Sequence, residues 1–202
     1  MITLPVDDSV WIDKLNSISR QASLDIDSQG WIQDQMTGED GELCIIAGAH
    51  QASHETEAEG LSHVLREVLD CLGHAEEWND VEGRTQSDVV AFLSDLKVTE
   101  GLMLAVFGPE WPKVCYLAQM FGTLSEDEMR DWVDSNDQYR DYQLLMHLDA
   151  EQAPDVRERR ARNAVAAAVS ERSAVLKINP MGPSATWLTS KVIRPSLQGA
   201  MV

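Results

Sequence analysis

Residues 55–80 have the sequence ETEAEGLSHVLREVLDCLGHAEEWND, which contains the clearest amphipathic pattern in the chain. Its apolar positions are Leu61, Val64, Leu65, Val68, Leu69 and Leu72. This spacing is typical of a helix that buries one face. Ser53 can cap the start of such a helix, and Gly73 can end it. We therefore predict a central helix over Glu55–Leu72, against which the other elements pack.

The side of this helix opposite the leucines and valines is polar. It carries His63, Glu67 and Asp70, at offsets of four and seven positions, so the three side chains line up along one face. Imidazole and carboxylate groups bind transition metals, so a metal site is one interpretation of the stripe. An exposed polar surface is the favoured interpretation, because the stripe lies opposite the apolar face.

Two acid-x-x-acid pairs, Glu67 with Asp70 and Glu77 with Asp80, suggest an alternative function. Carboxylates one helical turn apart can hold a divalent cation against a phosphate group. The tract Glu76–Val81 resembles the acidic segments of all-helical nucleotide pyrophosphohydrolases. That resemblance implies a metal-dependent hydrolase of a nucleotide or similar phosphate compound, with Mg²⁺ or Mn²⁺ as cofactor. Its metal ligands would be His63, Glu67, Asp70, Glu77 and Asp80.

Charge is distributed unevenly along the 202 residues, whose formal net charge is -18. Residues 1–154 contain 31 acidic and 8 basic side chains, whereas residues 155–202 contain 3 and 8. We predict an acidic, mainly helical domain over 1–154, followed by a basic helix and tail over 155–202. So acidic a protein is a poor ligand for DNA or an anionic membrane, except through its C-terminal segment. The contrast between the two parts favours partner recognition or self-association.

The predicted fold class is mainly α (α+β): a helical bundle with a small N-terminal β-hairpin and an irregular C-terminal tail. The hairpin pairs Trp31–Met36 with Glu42–Ala47 across a turn at Gly38–Gly41. Helices are predicted, besides the central one, over Asp8–Arg20, Thr85–Lys97, Thr99–Phe107, Glu110–Phe121, Ser125–Asn136, Asp137–Leu148 and Asp155–Arg172. A short helical turn is predicted within Glu76–Arg84.

Two groups of charged residues are candidates for an interaction surface. Carboxylates at helical spacing in residues 125–141 can imitate the phosphates of a nucleic acid, and an aromatic residue among them is typical of interfaces. Arginines crowd the start of the last predicted helix, where cations oppose the helix dipole, so we expect them to face acidic groups. The candidates are Glu126, Asp127, Asp131, Asp134, Asp137, Asp141 and Trp132, then Arg157, Arg159, Arg160 and Arg162.

The leading hypothesis is a non-enzymatic protein-interaction protein without a cofactor, acting through a strongly acidic surface. It would be an inhibitor that mimics nucleic acid, or a subunit of a larger assembly. Its partner would be a protein with a basic surface, such as a nucleic-acid-binding protein, or a second copy docked through the basic segment. The widely spaced Cys44, Cys71 and Cys115 favour reduced, buried thiols and a cytoplasmic location. No apolar run has the length of a membrane helix.

Overall fold

The computed structural model of the protein describes residues 7–124, 128 and 154–173, and this part of the chain is mostly helical. The helices are α1 (Ser9–Gln29), α2 (Ile45–Glu55), α3 (Leu61–Gly73), α4 (Ala75–Asn79), α5 (Gln86–Asp95), α6 (Glu100–Phe107), α7 (Trp111–Gly122) and α8 (Pro154–Ser170). A single 3-10 turn over Gly108–Glu110 joins α6 to α7. None of these described helices has both the length and the apolar character needed to cross a membrane.

Helix α3 lies at the centre of the bundle, as its apolar pattern predicts. It contacts α1, α2, α4, α6, α7 and α8. Each of its six leucine and valine side chains is fully buried. Burying a side chain of this size contributes about 1.5–3 kcal/mol, so this face of α3 supplies much of the stability of the core.

The start of the central helix was predicted wrongly. It begins at Leu61 rather than Glu55, and Glu55 instead ends α2. Ser53 lies inside α2 and donates a hydrogen bond to the carbonyl of His50, so it caps nothing. The residues between the two helices form a tight turn packed against α7, where the backbone of Gly60 approaches Gly122. This packing joins residues far apart in sequence, so the spacing of apolar residues around Glu55 could not predict it.

The predicted β-hairpin is absent. Residues 30–44 make two isolated bridges, Trp31 with Leu43 and Thr37 with Leu43, and the described chain contains no strand. The apolar run taken for the second strand begins α2 at Ile45, with Cys44 as its N-cap. A short, continuously apolar segment does not distinguish a buried strand from a buried helix, and α2 is buried between α1 and α3.

Helix α1 is longer than the predicted Asp8–Arg20 because its polar C-terminal half is buried against α5. The Ser19 hydroxyl donates to the carbonyl of Leu93 at 2.8 Å, and the hydroxyls of Ser23 and Ser94 lie 2.7 Å apart. The other predicted helices that fall within the described residues are confirmed to within a few residues. Thr85 caps α5 with a complete capping box. The three cysteines are buried.

Helix α8 packs on the α3–α6 side of the bundle through a narrow face of small residues. Ala164 and Ala168 on this face are fully buried. Beyond the helix, the Ser173 hydroxyl accepts a hydrogen bond from the backbone of Lys97 at 2.7 Å. The predicted helices over 125–148 and the predicted tail after residue 173 lie outside the described residues. The division into two domains at residue 154 stays a prediction.

Candidate acidic interaction site

Two adjoining clefts flank the short helix α4. The first, of about 490 Å³, lies between α3, α4 and α8, and the second, of about 240 Å³, lies between α4 and residues 34–46. Glu76 lines both of them, so they form one continuous surface. The carboxylates along this surface, here called the acidic rim, are Asp34, Asp70, Glu76, Glu77, Asp80 and Glu158.

The end of α3 sets the position of α4. His74 adopts a left-handed backbone conformation, with φ 57°, between the two helices and turns the chain sharply. The Asp70 carboxylate accepts a hydrogen bond from the Ala75 backbone at 3.0 Å, which satisfies one of the free N–H groups at the start of α4. Trp78 on α4 is buried in the core. Asp70 therefore has a structural role in addition to its place on the rim.

Asn79, at the end of α4, fixes the loop that carries Asp34. Its Oδ1 accepts hydrogen bonds from Trp31 Nε1 at 2.8 Å and from the backbone N–H of Ile45 at 3.2 Å. Its Nδ2 donates to the carbonyl of Ile32 at 3.1 Å. Because Asn79 is 2 % exposed, these bonds form out of contact with bulk water. One side chain thus replaces the strand pairing that the sequence predicted here.

Asp80 joins the loop to the rim directly. Its Oδ1 accepts the backbone N–H of Asp34 at 2.9 Å and the side-chain amide of Asn79 at 2.8 Å. The two bonds attach the loop to the end of α4, while Asp80 itself stays exposed to solvent. The second cleft is therefore lined by Asp34 and Asp80, which the first of these bonds joins, and by Glu76.

The cations on this surface neutralise the rim only in part. Arg66 forms ion pairs with Glu76 and, at 4.0 Å, with Asp70, so that one guanidinium serves two carboxylates. Partial burial raises the pKa of Asp70, against the opposing effects of the Ala75 N–H and the Arg66 charge. Exposed ion pairs of this kind contribute little stability, so the rim remains available to another cation.

The residues proposed as metal ligands separate into different places. Asp70 and Glu77 line the first cleft and Asp80 the second, while His63 and Glu67 line neither. Partial removal of the imidazole from water, and then the charges of His50 and Arg66, lower the pKa of His63. In the residues that the structure describes, no three His, Cys, Asp or Glu side chains come close enough to hold one metal ion. The hydrolase alternative and its Mg²⁺ or Mn²⁺ stay predictions.

At the basic start of α8, Arg160 faces the rest of the chain. Arg160 lines the first cleft and donates its Nε–H to the carbonyl of Val106 at 2.9 Å. Arg162 pairs with Glu158 on its own helix at 2.6 Å, and Arg159 is exposed. Arg157 lies in the first turn of α8. The candidates Glu126, Asp127, Asp131, Trp132, Asp134, Asp137 and Asp141 lie outside the described residues.

Residues 14–97 match the model of one protein family, described as a family of unknown function (DUF6197). The match includes α2–α5, most of α1, and five of the six rim carboxylates; Glu158 falls outside it. No curated protein and no solved structure matches the chain.

Sequence reasoning missed Asp34, Glu76 and Glu158 as members of one surface. Glu76 had a usable signal, because it follows the helix break at Gly73 and precedes the buried Trp78. Asp34 reaches the rim only through the bonds that Asn79 makes to residues 31–45, and Glu158 only through the packing of α8 on α3. Neither arrangement leaves a local pattern in the sequence.

Proposed function

We propose that this chain is a non-enzymatic interaction protein that binds a partner with a basic surface through the acidic rim. The observation that carries the proposal is the line of six carboxylates along two clefts that share Glu76, in a chain of net charge -18. Complementary charge steers two proteins together and suppresses wrong partners.

The shape of the rim favours arginine on the partner. A cleft admits a long side chain whose charged end then meets more than one carboxylate. A guanidinium presents five donors in a fixed fork, which matches paired carboxylates better than an ammonium does. Asp34 with Asp80, and Glu76 with Glu77, offer such groups of acceptors.

Two biological forms of this activity remain proposals. In the first, the chain inhibits a nucleic-acid-binding protein by presenting carboxylates in place of phosphates, with the carboxylates of residues 126–141 adding to the rim. In the second, the chain is a subunit of an assembly and the rim docks on a basic neighbour. As a subunit of an assembly, the chain would make a further contact through the basic α8, either with that neighbour or with another copy of the chain.

A fluorescent deca-arginine peptide, with deca-lysine for comparison, tests whether the rim binds basic chains. The rim variant combines Glu76→Gln and Glu77→Gln. The control combines Glu100→Gln and Glu110→Gln, which removes the same charge from exposed positions outside both clefts. Fluorescence anisotropy should show about tenfold weaker binding for the rim variant, which corresponds to the loss of one charge-assisted hydrogen bond. The control should change affinity far less.

Two results would count against the proposal. Equal losses in the two variants would mean that the peptide responds to net charge and not to the rim. Equal affinity for deca-lysine and deca-arginine would mean that the rim does not distinguish a guanidinium from an ammonium group. Release of phosphate from nucleotides with Mg²⁺ or Mn²⁺, abolished by Asp70→Asn, would favour the hydrolase alternative instead.

A further inference from the structure

A third cavity, of about 590 Å³, lies between α1 and the segment of residues 93–99 that ends α5 and leads to α6. Its volume falls in the range of small-molecule sites, roughly 300–1,000 Å³. It is lined by two cations, Arg20 and Lys97, and by the single carboxylate of Asp13, whereas carboxylates outnumber arginines and lysines in both clefts of the acidic rim. We refer to it as the α1 groove.

The walls of the α1 groove are held together by hydrogen bonds that do not depend on a ligand. The Asn16 side chain donates to the carbonyl of Val98 and accepts from the N–H of the same residue, both at 2.9 Å. Ser19 on α1 bonds the carbonyl of Leu93. The two walls are therefore fixed relative to each other, which lowers the entropy cost of binding.

The two cations stand on opposite walls, Arg20 on α1 and Lys97 on the segment that follows α5. Arg20 is one turn from Asn16 on α1, and Lys97 precedes Val98, to which Asn16 is hydrogen-bonded, so both cations belong to the part of the groove around Asn16. Among the described residues, neither side chain takes part in an ion pair, whereas Arg66 and Arg162 do. Neighbouring like charges repel each other, and an anion between them would relieve that repulsion.

Asp13 does not supply this anion. It is seven positions before Arg20 on α1, which places it about 10 Å farther along the helix axis. The groove thus has a cationic end, at Arg20 and Lys97, and an acceptor at the other end. The negative charge of the rest of the molecule is screened over about 8 Å at physiological ionic strength, so an anion in the groove would interact mainly with the charges that line it.

We propose that the α1 groove binds a small molecule that carries a phosphate or carboxylate group, with that group held between Arg20 and Lys97. The remainder of the ligand lies along α1 toward Ser17 and Asp13, so a hydroxyl or amine at that end would find an acceptor. This site is separate from the acidic rim and takes ligands of the opposite charge.

Isothermal titration calorimetry on the full chain tests the site with three probes at constant ionic strength: inorganic phosphate, pyrophosphate and citrate. At least one probe should bind, and comparison of pyrophosphate with citrate decides between phosphate and carboxylate ligands. Arg20→Gln and Lys97→Gln should each weaken binding by about tenfold or more, as expected for a charge-assisted contact. All substituted residues are exposed, so thermal melts should confirm that the variants stay folded.

Arg159→Gln is the matched control, because it removes one exposed positive charge from α8, outside the groove. Its affinity for the probes should equal that of the unmodified chain. The proposal is overturned if none of the three probes binds, or if Arg159→Gln weakens binding as much as the groove variants do. Deca-arginine binding should persist in Arg20→Gln and Lys97→Gln, which separates this site from the acidic rim.

Discussion

Gly122, the last residue of α7, should not tolerate even a methyl group. A Cβ atom there would lie 2.4 Å from the carbonyl carbon of Glu59 and 2.4 Å from the nitrogen of Gly60. Carbon atoms in favourable contact are about 3.5–4.0 Å apart, so the overlap exceeds about 1 Å. All the nearest atoms are backbone atoms, so no side chain can turn away to make room.

The turn that contains Glu59 and Gly60 has little freedom to move. A Cβ on Gly60 would lie only 2.0 Å from the carbonyl oxygen of Ala118, so the turn is already in contact with α7. The carbonyl of Glu57 also accepts hydrogen bonds from Lys14 and Gln119. Gly122→Ala should therefore lower the free energy of unfolding by about 1–3 kcal/mol, the usual cost of overpacking.

Gly101→Ala is a control that makes the same glycine-to-alanine change but is expected to raise the free energy of unfolding. A Cβ at this exposed position in α6 would meet only Thr99 Oγ1 at 3.9 Å and Glu171 Oε1 at 4.0 Å. Replacing glycine by alanine in a helix without strain should raise the free energy of unfolding by about 0.4–1 kcal/mol. The two substitutions should thus differ by at least about 1.4 kcal/mol, a factor of ten in the folding equilibrium.

Urea unfolding followed by circular dichroism and tryptophan fluorescence measures both values by linear extrapolation. The reasoning fails if Gly122→Ala is as stable as the unmodified chain with an unchanged denaturant slope. It also fails if Gly101→Ala loses as much stability as Gly122→Ala, because the close contact would then not be the cause.

Three further substitutions test other parts of the structure. Asn79→Ala should cost at least about 2 kcal/mol in urea unfolding, because it leaves Trp31 Nε1 and the Ile45 N–H without an acceptor; a neutral result would refute the role of Asn79. Burial raises the pKa of Asp25, whose Oδ2 has no hydrogen-bond partner among the described residues. The ionised side chain therefore lowers the stability of the folded chain once the pH rises from the pKa of the unfolded chain through that of the folded chain. Asp25→Asn should therefore raise the melting temperature at pH near 7, and the gain should shrink as the pH falls toward about 4; a gain independent of pH would contradict this. Thr85→Ala should cost about 1 kcal/mol through loss of the α5 cap, and Thr85→Ser should restore most of it.

The helices were predictable where the apolar residues recur at helical spacing and lie on the one face that is buried. The six apolar positions of α3 identified the central helix, and the predicted Thr85 cap and the predicted helix starts at Thr99 and Glu110 were close to correct. The prediction failed at Leu43–Ala47, because a segment buried on all sides loses the period that separates helix from strand. It failed again at Glu55, because the contact of Gly60 with Gly122 joins residues far apart in sequence.

The candidate site was predictable only as separate parts. Asp70, Glu77 and Asp80 were singled out from their spacing, and Arg160 from its position at the start of a helix. Their meeting along two clefts depends on the turn at His74, on the bonds of Asn79 and on the packing of α8. These are tertiary contacts, and a linear pattern of charges does not contain them.

The packing of α8 on α3 also bears on the order in which the helices can pack as the chain is synthesised. Helix α8 is separated from α3 by roughly 80 residues of chain, yet it covers α3 with alanines that contribute little apolar area. During synthesis, α3 can collapse against α1 and α2 well before α8 leaves the ribosome. The part of α3 that α8 covers is then the last to be buried, because contacts between residues so far apart in sequence form slowly. Until residues 154–173 have been added, the part of the bundle that α8 covers in the folded chain stays exposed to solvent.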